Sequence, residues 1–379
     1  MVKGFFNKIR FRFFLTTKTI LYTENYLKQV YKIYLNHDKV IHYRNGYPVF
    51  SLSTPAIFSK PAANMFARSI FGSIQNRNLP NLMSFAINDK CNANCSHCSF
   101  FTEVNDANRQ ILSLDQSRKL INDAQKLGVS VINFVGGEPL LRNDILEIIK
   151  CVDKTLSTTV MFTNGYRLYE MAHSLKKSGL DSVYVSIDSS KKEIHDKKRG
   201  KDGLFDKAVA GIMAAKKAGL SVGISCCINE SDFKNGELGK IIELGKKMAV
   251  HEVLVFDVIP TGRLKNCHVL IDNNSWIDEL INFSDKYNKD LNYPGVLIYA
   301  YSTSYRSTGC SGGTSYFYVS PYGDISPCDF NHQNFGNILE EPLFKIWDKL
   351  SSSDVFNKAS WGGCRMKSSA FRKNNSNLS

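Results

Sequence analysis

The 379-residue sequence has no apolar run long enough to cross a bilayer. Its most aromatic and aliphatic stretch lies in the first 35 residues. There Lys3, Lys8, Arg10, Arg12 and Lys18 interrupt every approach to the roughly 20 consecutive apolar residues that a spanning helix needs. Cysteine is sparse, ten in the whole chain, which is too dilute for a disulfide-stapled small fold, and no secretory signal is recognisable ahead of them. A reducing cytosol is the expected setting, and closely spaced cysteines there point to metal binding or catalysis. Acidic residues are scarce in one part only. Residues 1–80 hold 12 Lys and Arg against Glu24 and Asp38, whereas residues 81–379 hold 36 against 33. Most of the net charge of +13 therefore belongs to an N-terminal segment. The nearly balanced remainder lacks the basic excess of a nucleic-acid-binding core, so a nucleic-acid substrate is the weakest option. Internal repeats are absent, and the only low-complexity tract is the polar tail Lys367–Ser379, which is expected to be disordered. What is present, 43% hydrophobic and 22% charged residues, excludes wholesale disorder and provides for two or three domains.

The stretch Phe5–Leu35 interleaves Phe, Tyr, Ile and Leu with Lys and Arg, and a helix is expected there. Three readings of it stand open. It packs on the main domain, lies on an anionic membrane surface through residues 1–36, or imitates an Arg-rich, acid-poor targeting peptide. Val40–Arg44 and Tyr47–Ser51 flank Asn45-Gly46, a two-residue hairpin signal, with Pro48 consigning its strand to an edge. Pro55, Pro61 and Pro80 are then expected to break up the segment that completes this N-terminal extension, residues 1–80.

From residue 81 the pattern becomes regular. Short β-prone runs at Met83–Ile87, Val129–Val135, Thr158–Thr163, Ser182–Ile187, Ser221–Ile228 and Glu252–Val258 alternate with helical runs at Leu114–Leu127, Asp144–Lys154, Leu168–Ser178, Leu204–Ala218 and Asn235–Met248. Gly128, Gly179 and Gly219 stand where helices should stop. Six such units fit an α/β core, residues 81–300, built as an open wound sheet or a partial (β/α)6 TIM-like barrel, with the ligand site at the C-terminal ends of the strands.

Directly after the first strand comes Cys91-Asn-Ala-Asn-Cys95-Ser-His-Cys98. Cysteine thiolates are the usual ligands of iron–sulfur clusters, and three on one loop can wrap one side of such a cluster. A closed structural zinc site wants a fourth ligand, which His97 reaches only by folding back between Cys95 and Cys98. This loop, placed after the first strand of a βα array, resembles the signature of radical S-adenosylmethionine (SAM) enzymes. Other features stand at successive strand ends: Gly136-Gly137-Glu138-Pro139 after the second, Thr163-Asn164-Gly165 after the third, Ser186-Ile187-Asp188 closing the fourth, then His195 to Gly200. The two glycines let a backbone approach a ligand closely, leaving their N–H and C=O groups free to bind it. The resemblance, over roughly residues 83–260, implies a [4Fe-4S] cluster on Cys91, Cys95 and Cys98 with one iron open to SAM. It further implies that Gly136–Pro139 binds the amino group of SAM, with Asn164 at the next strand end. Ser186 and Asp188 would contact its ribose or methionyl part, and Arg199 its carboxylate.

Cys310, Cys328 and Cys364 lie beyond this core. Cys310 precedes a hairpin-like run (Phe317–Val319, Tyr322-Gly323, Ile325), Cys328 follows it, and Gly336-Asn337-Ile338 and a short helix, Pro342–Leu350, come next. This resembles the SPASM or twitch extension that holds auxiliary iron–sulfur clusters, and implies a small α+β domain at residues 301–366. Only Cys364 remains after Cys328, which is too few for two auxiliary clusters. One cluster on Cys310, Cys328 and Cys364 is expected, with Cys267, a non-cysteine residue or substrate as its fourth partner, against the alternative of three simply buried cysteines. Cys226 and Cys227 adjoin on the fifth strand and so face opposite sides; whichever faces inward could donate a hydrogen atom to a substrate radical.

The activity so implied is reductive cleavage of SAM to methionine and a 5′-deoxyadenosyl radical that abstracts hydrogen from substrate. The electron would come from a low-potential donor such as flavodoxin or ferredoxin. The expected substrate is a peptide or protein. The competing readings are a small-molecule or lipid substrate met at the membrane, and a non-catalytic iron–sulfur-binding protein.

Overall fold

The computed structural model describes Gln29 and residues 32–100, 108–266 and 275–374. The helix expected over Phe5–Leu35 and the ligand candidate Cys267 fall largely or wholly outside these; residues 32–35 are helical. The Asn45-Gly46 hairpin forms as expected: β1 (His42–Arg44) pairs antiparallel with β2 (Tyr47–Val49), and both turn residues have positive φ. The segment that follows is a correction. Instead of being broken by prolines, Lys60–Gln75 is a 16-residue helix, α1. Ser59 caps its N-terminus by accepting from the Ala62 N–H, and Pro61 sits in the first turn, where its missing N–H has no partner to lose.

The core sheet starts at β3 (Leu82–Ala86) and proceeds through β4 (Val131–Val135), β5 (Thr158–Thr163), β6 (Ser182–Ser186), β7 (Ser221–Ile228) and β8 (Glu252–Asp257), all parallel. The crossover helices include α2 (Leu114–Leu127), α3 (Ile145–Lys150), α4 (Leu168–Lys177), α5 (Lys192–Arg199), α6 (Leu204–Lys217), α7 (Glu230–Lys234) and α8 (Glu237–Lys247). Their ends obey local rules. Ser113 and Gln116 make a reciprocal capping box on α2, and Gly128 ends it in the left-handed region at φ 119°. After helix α9 (Ser275–Lys289) a further strand, β9 (Gly295–Ile298), extends the parallel series beyond the six expected. The hairpin β10 (Tyr316–Val319) and β11 (Ile325–Ser326) also joins this sheet rather than standing apart, β10 lying parallel to β3. The order is β11-β10-β3-β4-β5-β6-β7-β8-β9, and β9 and β11 are left as edges, so the sheet is a partial barrel. Among the described residues no helix is long and apolar enough to cross a membrane.

Strand alternation sorts the core. On β7, Val222, Ile224, Cys226 and Ile228 face outward into a core shared with Ile212, Ile241 and Ile242 of the covering helices. Inside, at the N-terminal ends of the strands, Leu35, Val49, Phe50, Leu52 and Ile57 pack against Val131, Val160, Tyr184, Leu254 and Leu297. The N-terminal extension thus fills the barrel floor. Buried Glu252 pins it there, accepting from the Leu52 N–H at 2.8 Å, the Ser51 hydroxyl at 3.2 Å and the Tyr184 hydroxyl. The tail is a second correction. Arg365–Lys367 forms a 3-10 turn and Ser369–Asn374 a helix, α10, whose Phe371 packs on Phe356. An aromatic side chain inside a polar sequence holds it to the core.

Candidate active site

The loop 88–100 leaves β3 at the open end of the barrel, and three glycines press against its backbone, Gly137 and Gly262 from strand-end loops and Gly200 from the C-terminal cap of helix α5. A Cβ on Gly137 would stand 2.3 Å from the Lys90 carbonyl oxygen, one on Gly200 2.6 Å from that of Asn94, and one on Gly262 2.2 Å from that of Cys98. Each contact is accompanied by backbone hydrogen bonds. The Glu138 N–H donates to Lys90 O, Asn94 N–H to Arg199 O, Ser96 N–H to Lys198 O, and Arg263 N–H to Cys98 O. The Arg263 guanidinium also donates to Asn94. The loop is therefore clasped at both ends and its middle. This refines the expectation for Gly136-Gly137. Their freedom from a side chain serves first to let the cysteine loop approach, and the Gly137 N–H is already engaged by Asn88 O at 2.8 Å.

Cys91, Cys95 and Cys98 are unpaired as disulfides, partly exposed, and all line one cavity. Burial pushes the Cys91 thiol up to about 12, with the Ala93 N–H pulling down and Cys95 and Cys98 adding to the rise; Cys98 is raised mainly by burial as well. Thiols so placed ionise readily when a cation compensates their charge, which is what a metal centre provides. His97 is turned away from this trio to Asp188, 3.3 Å between Nε2 and Oδ2.

Glu138 is buried and fully occupied, accepting from the Thr163 hydroxyl (2.6 Å), the Asn164 N–H (2.8 Å) and the Leu140 N–H (3.1 Å). Burial raises its pKa against those donors. It ties the loop after β4 to the end of β5, while Pro139 opens a 3-10 turn beneath it. The Asn164 side chain donates to Asn92 in the cysteine loop at 2.8 Å. Gly136, Gly137, Glu138, Asn164, Ser186 and Arg199 line the cavity. Asp188 lies beneath it, fully buried, and takes Arg199 Nε at 2.5 Å and the Cys227 N–H at 2.9 Å. Burial would raise the Asp188 pKa, but Arg199 and then His97 outweigh it and hold the carboxyl well below its usual range. Arg199 Nη1 is in turn 3.7 Å from Cys95 Sγ. Asp188 thus aims Arg199 rather than facing the cavity itself. Of the cysteine pair, Cys227 is partly exposed beside Ser225 on the inner face, whereas Cys226 belongs to the outer core.

The cavity, about 1330 Å³, runs from the cysteine loop along the inner faces of β3, β4, β7 and β8 to Tyr299, Asp329 and Phe330. Behind that wall lie Cys310, Cys328 and Cys364, all buried. Burial raises the Cys364 and Cys328 thiols, and charge at Cys310 raises both further, so the fold brings together three cysteines far apart in sequence. The Tyr299 phenol feels all three. Two features in or beside the cavity went unread in the sequence. Lys367, from the presumed tail, forms an ion pair with buried Asp257 at the end of β8, and Asn133 Oδ1 on β4 is buried without a hydrogen-bond partner. An alternating polar position in an otherwise apolar strand was the one cue available for Asn133.

Residues 86–233 match the Radical SAM superfamily, and residues 310–373 match SPASM, an iron–sulfur cluster-binding domain. An AdoMet-dependent heme synthase of Methanosarcina barkeri is 28% identical over 302 residues, covering 74% of this chain and 85% of that protein. A probable GTP 3′,8-cyclase of Saccharolobus solfataricus is 27% identical over 264 residues, covering 66% and 83%. In fold the chain is similar to Streptococcus suis SuiB bound to the precursor peptide SuiA, with a TM-score of 0.62, 16% identity, and 78% and 70% of the two chains covered.

Proposed function

We propose that this chain, a radical S-adenosylmethionine enzyme with a SPASM extension, abstracts a hydrogen atom from a peptide or protein substrate held between two groups of cysteines. The observation that carries this is the single cavity connecting Cys91, Cys95 and Cys98 with the wall in front of Cys310, Cys328 and Cys364. The fit to iron–sulfur clusters is one of donor chemistry, three thiols in each set and none in a disulfide; as they stand, the described residues form no group of three close enough to hold a metal ion. Cys91, Cys95 and Cys98 would hold the [4Fe-4S] cluster, and Cys310, Cys328 and Cys364 an auxiliary one. When bound, cluster and SAM together supply a 5′-deoxyadenosyl radical, given one electron from a low-potential donor.

The chain's own residues do the rest. Arg199, aimed by Asp188, is placed to take the SAM carboxylate, and Asn164 and Ser186 offer polar groups beside it. The glycine clasp keeps the cysteine loop in register with these groups. Asn133 and the Asp257–Lys367 pair provide polar anchors for substrate among Phe162, Phe256, Tyr299 and Phe330. Cys227 stands on the inner face as the candidate hydrogen donor. Burial, and next the Asp188 charge, raise its thiol to about 12, which keeps the S–H that such a donor needs. The open side of the barrel suits an extended chain entering sideways.

A second reading, a bulky apolar small molecule, is favoured by that aromatic lining and by relatives named heme synthase. Anaerobic incubation of reconstituted enzyme with SAM, reductant and substrates of each class distinguishes them. The expected result is substrate-dependent 5′-deoxyadenosine carrying deuterium from a labelled peptide and none in Cys95→Ala. Transfer only from a labelled porphyrin would replace the first reading with the second.

A further inference from the structure

The cavity has a second opening, away from the cysteine loop. Because the sheet does not close, its lining continues past Ser302 and Thr303 after β9 and Gly309 and Ser311 before β10 to helix α1. There Phe66, Ile70 and Ile74 recur at four-residue intervals along one side of the mouth, and Ile33 stands among the lining residues too. Helix α1 buries only Pro61, Ala62 and Gly72 of its 16 residues. Ile70 is 60% exposed, Ile74 73% and Ile33 59%. Large aliphatic side chains gathered at a rim mark a surface that something covers.

Charge indicates what. Helix α1 carries no acidic residue to repel an anionic partner, and its Arg68 turns away from the mouth to the Lys126 carbonyl. Residues 1–28, which lead in sequence to Ile33, hold six Lys and Arg against the single Glu24. A second copy of the chain would bring the same sign of charge to the contact. An anionic bilayer instead offers negative headgroups for the basic residues and acyl chains for the isoleucines.

We propose that the mouth formed by Ile33, Ile70 and Ile74 docks on an anionic lipid surface, with the open side of the barrel turned toward the bilayer. The inference goes beyond the catalytic reading and requires that the substrate, peptide or small molecule, reach the open side from the bilayer. It places the substrate's entry at the membrane side and leaves the cysteine-loop end to solvent and the electron donor.

The test is sedimentation of the full-length, cluster-loaded protein with vesicles of phosphatidylcholine and phosphatidylglycerol, and with phosphatidylcholine alone. Binding to the anionic vesicles, weakened by salt and by at least about tenfold in the double variant Ile70→Ser, Ile74→Ser, is the expected result. No anionic-vesicle binding, or binding undiminished in the variant, overturns the proposal. So does a variant that converts a dimer to a monomer without vesicles, since the face would then belong to a second copy. Hydrogen exchange on the unaltered protein needs no variant: vesicles should protect residues 60–75, and unchanged exchange there refutes the docking.

Discussion

Replacing Asp188 tests whether one buried carboxylate organises the SAM end of the site. Its two oxygens serve Arg199 from helix α5, His97 from the cysteine loop and the Cys227 N–H from β7. In Asp188→Ala the Arg199 guanidinium stays mostly buried without its counter-charge. Breaking a buried pair from one side costs about 3–5 kcal/mol. The Cys227 N–H also loses its acceptor, for about 1–3 kcal/mol more. A loss of about 4–8 kcal/mol would consume much of a typical domain's stability. Asp188→Asn is the sharper probe, because its carbonyl can still accept from the Cys227 N–H while its NH2 replaces the oxygen that took Arg199 Nε, so the charge and that one acceptor are lost and about 3 kcal/mol is expected. Urea unfolding of the reduced, cluster-free protein measures that term, and equilibrium dialysis of the reconstituted protein measures SAM affinity, which should fall at least tenfold as Arg199 loses its orientation. The pH sign follows from the depressed pKa. The contribution is complete above the ordinary Asp value of about 3.9 and is lost as pH falls below it toward the folded value, so it does not vary between pH 6 and 8. An Asn variant with unaltered unfolding midpoint and unaltered SAM affinity would show that the ion pair is incidental.

Glu252 should behave oppositely. Burial raises its pKa to about 7, so its favourable contribution is complete below the unfolded carboxylate value and is lost as pH rises to about 7; unfolding at pH 5 and pH 8 should differ by about 3 kcal/mol more in the native chain than in Glu252→Gln. Gly137→Ala and Gly262→Ala each force a Cβ against a carbonyl of the cysteine loop, and iron retained after gel filtration should drop in both, while Gly239→Ala in helix α8, where a Cβ meets only ordinary contacts at 3.5 Å, should keep its iron. Cys227→Ala should still produce 5′-deoxyadenosine but lose solvent deuterium from the product if Cys227 returns the hydrogen atom; retention of the label removes that role. Cys364→Ala should lower reconstituted iron from about eight to about four per chain; about four in the unaltered protein would eliminate the auxiliary cluster, and about eight in the variant would remove Cys364 as its ligand.

That the candidate site residues gather at one end of the sheet was legible because local chemistry and strand periodicity agree there. The cysteine loop, Gly136–Pro139, Asn164 and Ser186 each follow or close a β-prone run, and a parallel βα array can bring such positions together only at one end. The misreadings share a different cause, contact with something distant. Pro61 looked like a breaker because its position relative to the helix start depends on the Ser59 cap. Lys367 looked like disordered tail because its partner, Asp257, lies more than a hundred residues earlier. Asp188 looked like a ligand contact because a carboxylate at a strand end can equally bind ligand or brace a cation, and only burial separates the two.

The floor of the barrel makes the same distinction in the other direction. Nothing in Ser51-Leu52-Ser53 advertises a structural role, yet Leu52 lies against Gly223 and Tyr184, and its N–H is bound by Glu252. A glycine in mid-strand and a buried Glu are individually poor strand residues, and the inward Tyr184 lies over that glycine. Together they form a socket, and the N-terminal extension is what fits it. The extension is therefore an integral wall of the cavity. Removing residues 1–58 should accordingly do more than abolish surface binding. It should expose Val131, Val160, Leu254 and Leu297 to water and unfold the barrel floor, whereas removing residues 1–28 alone should leave the fold intact and weaken only the attraction to anionic lipid.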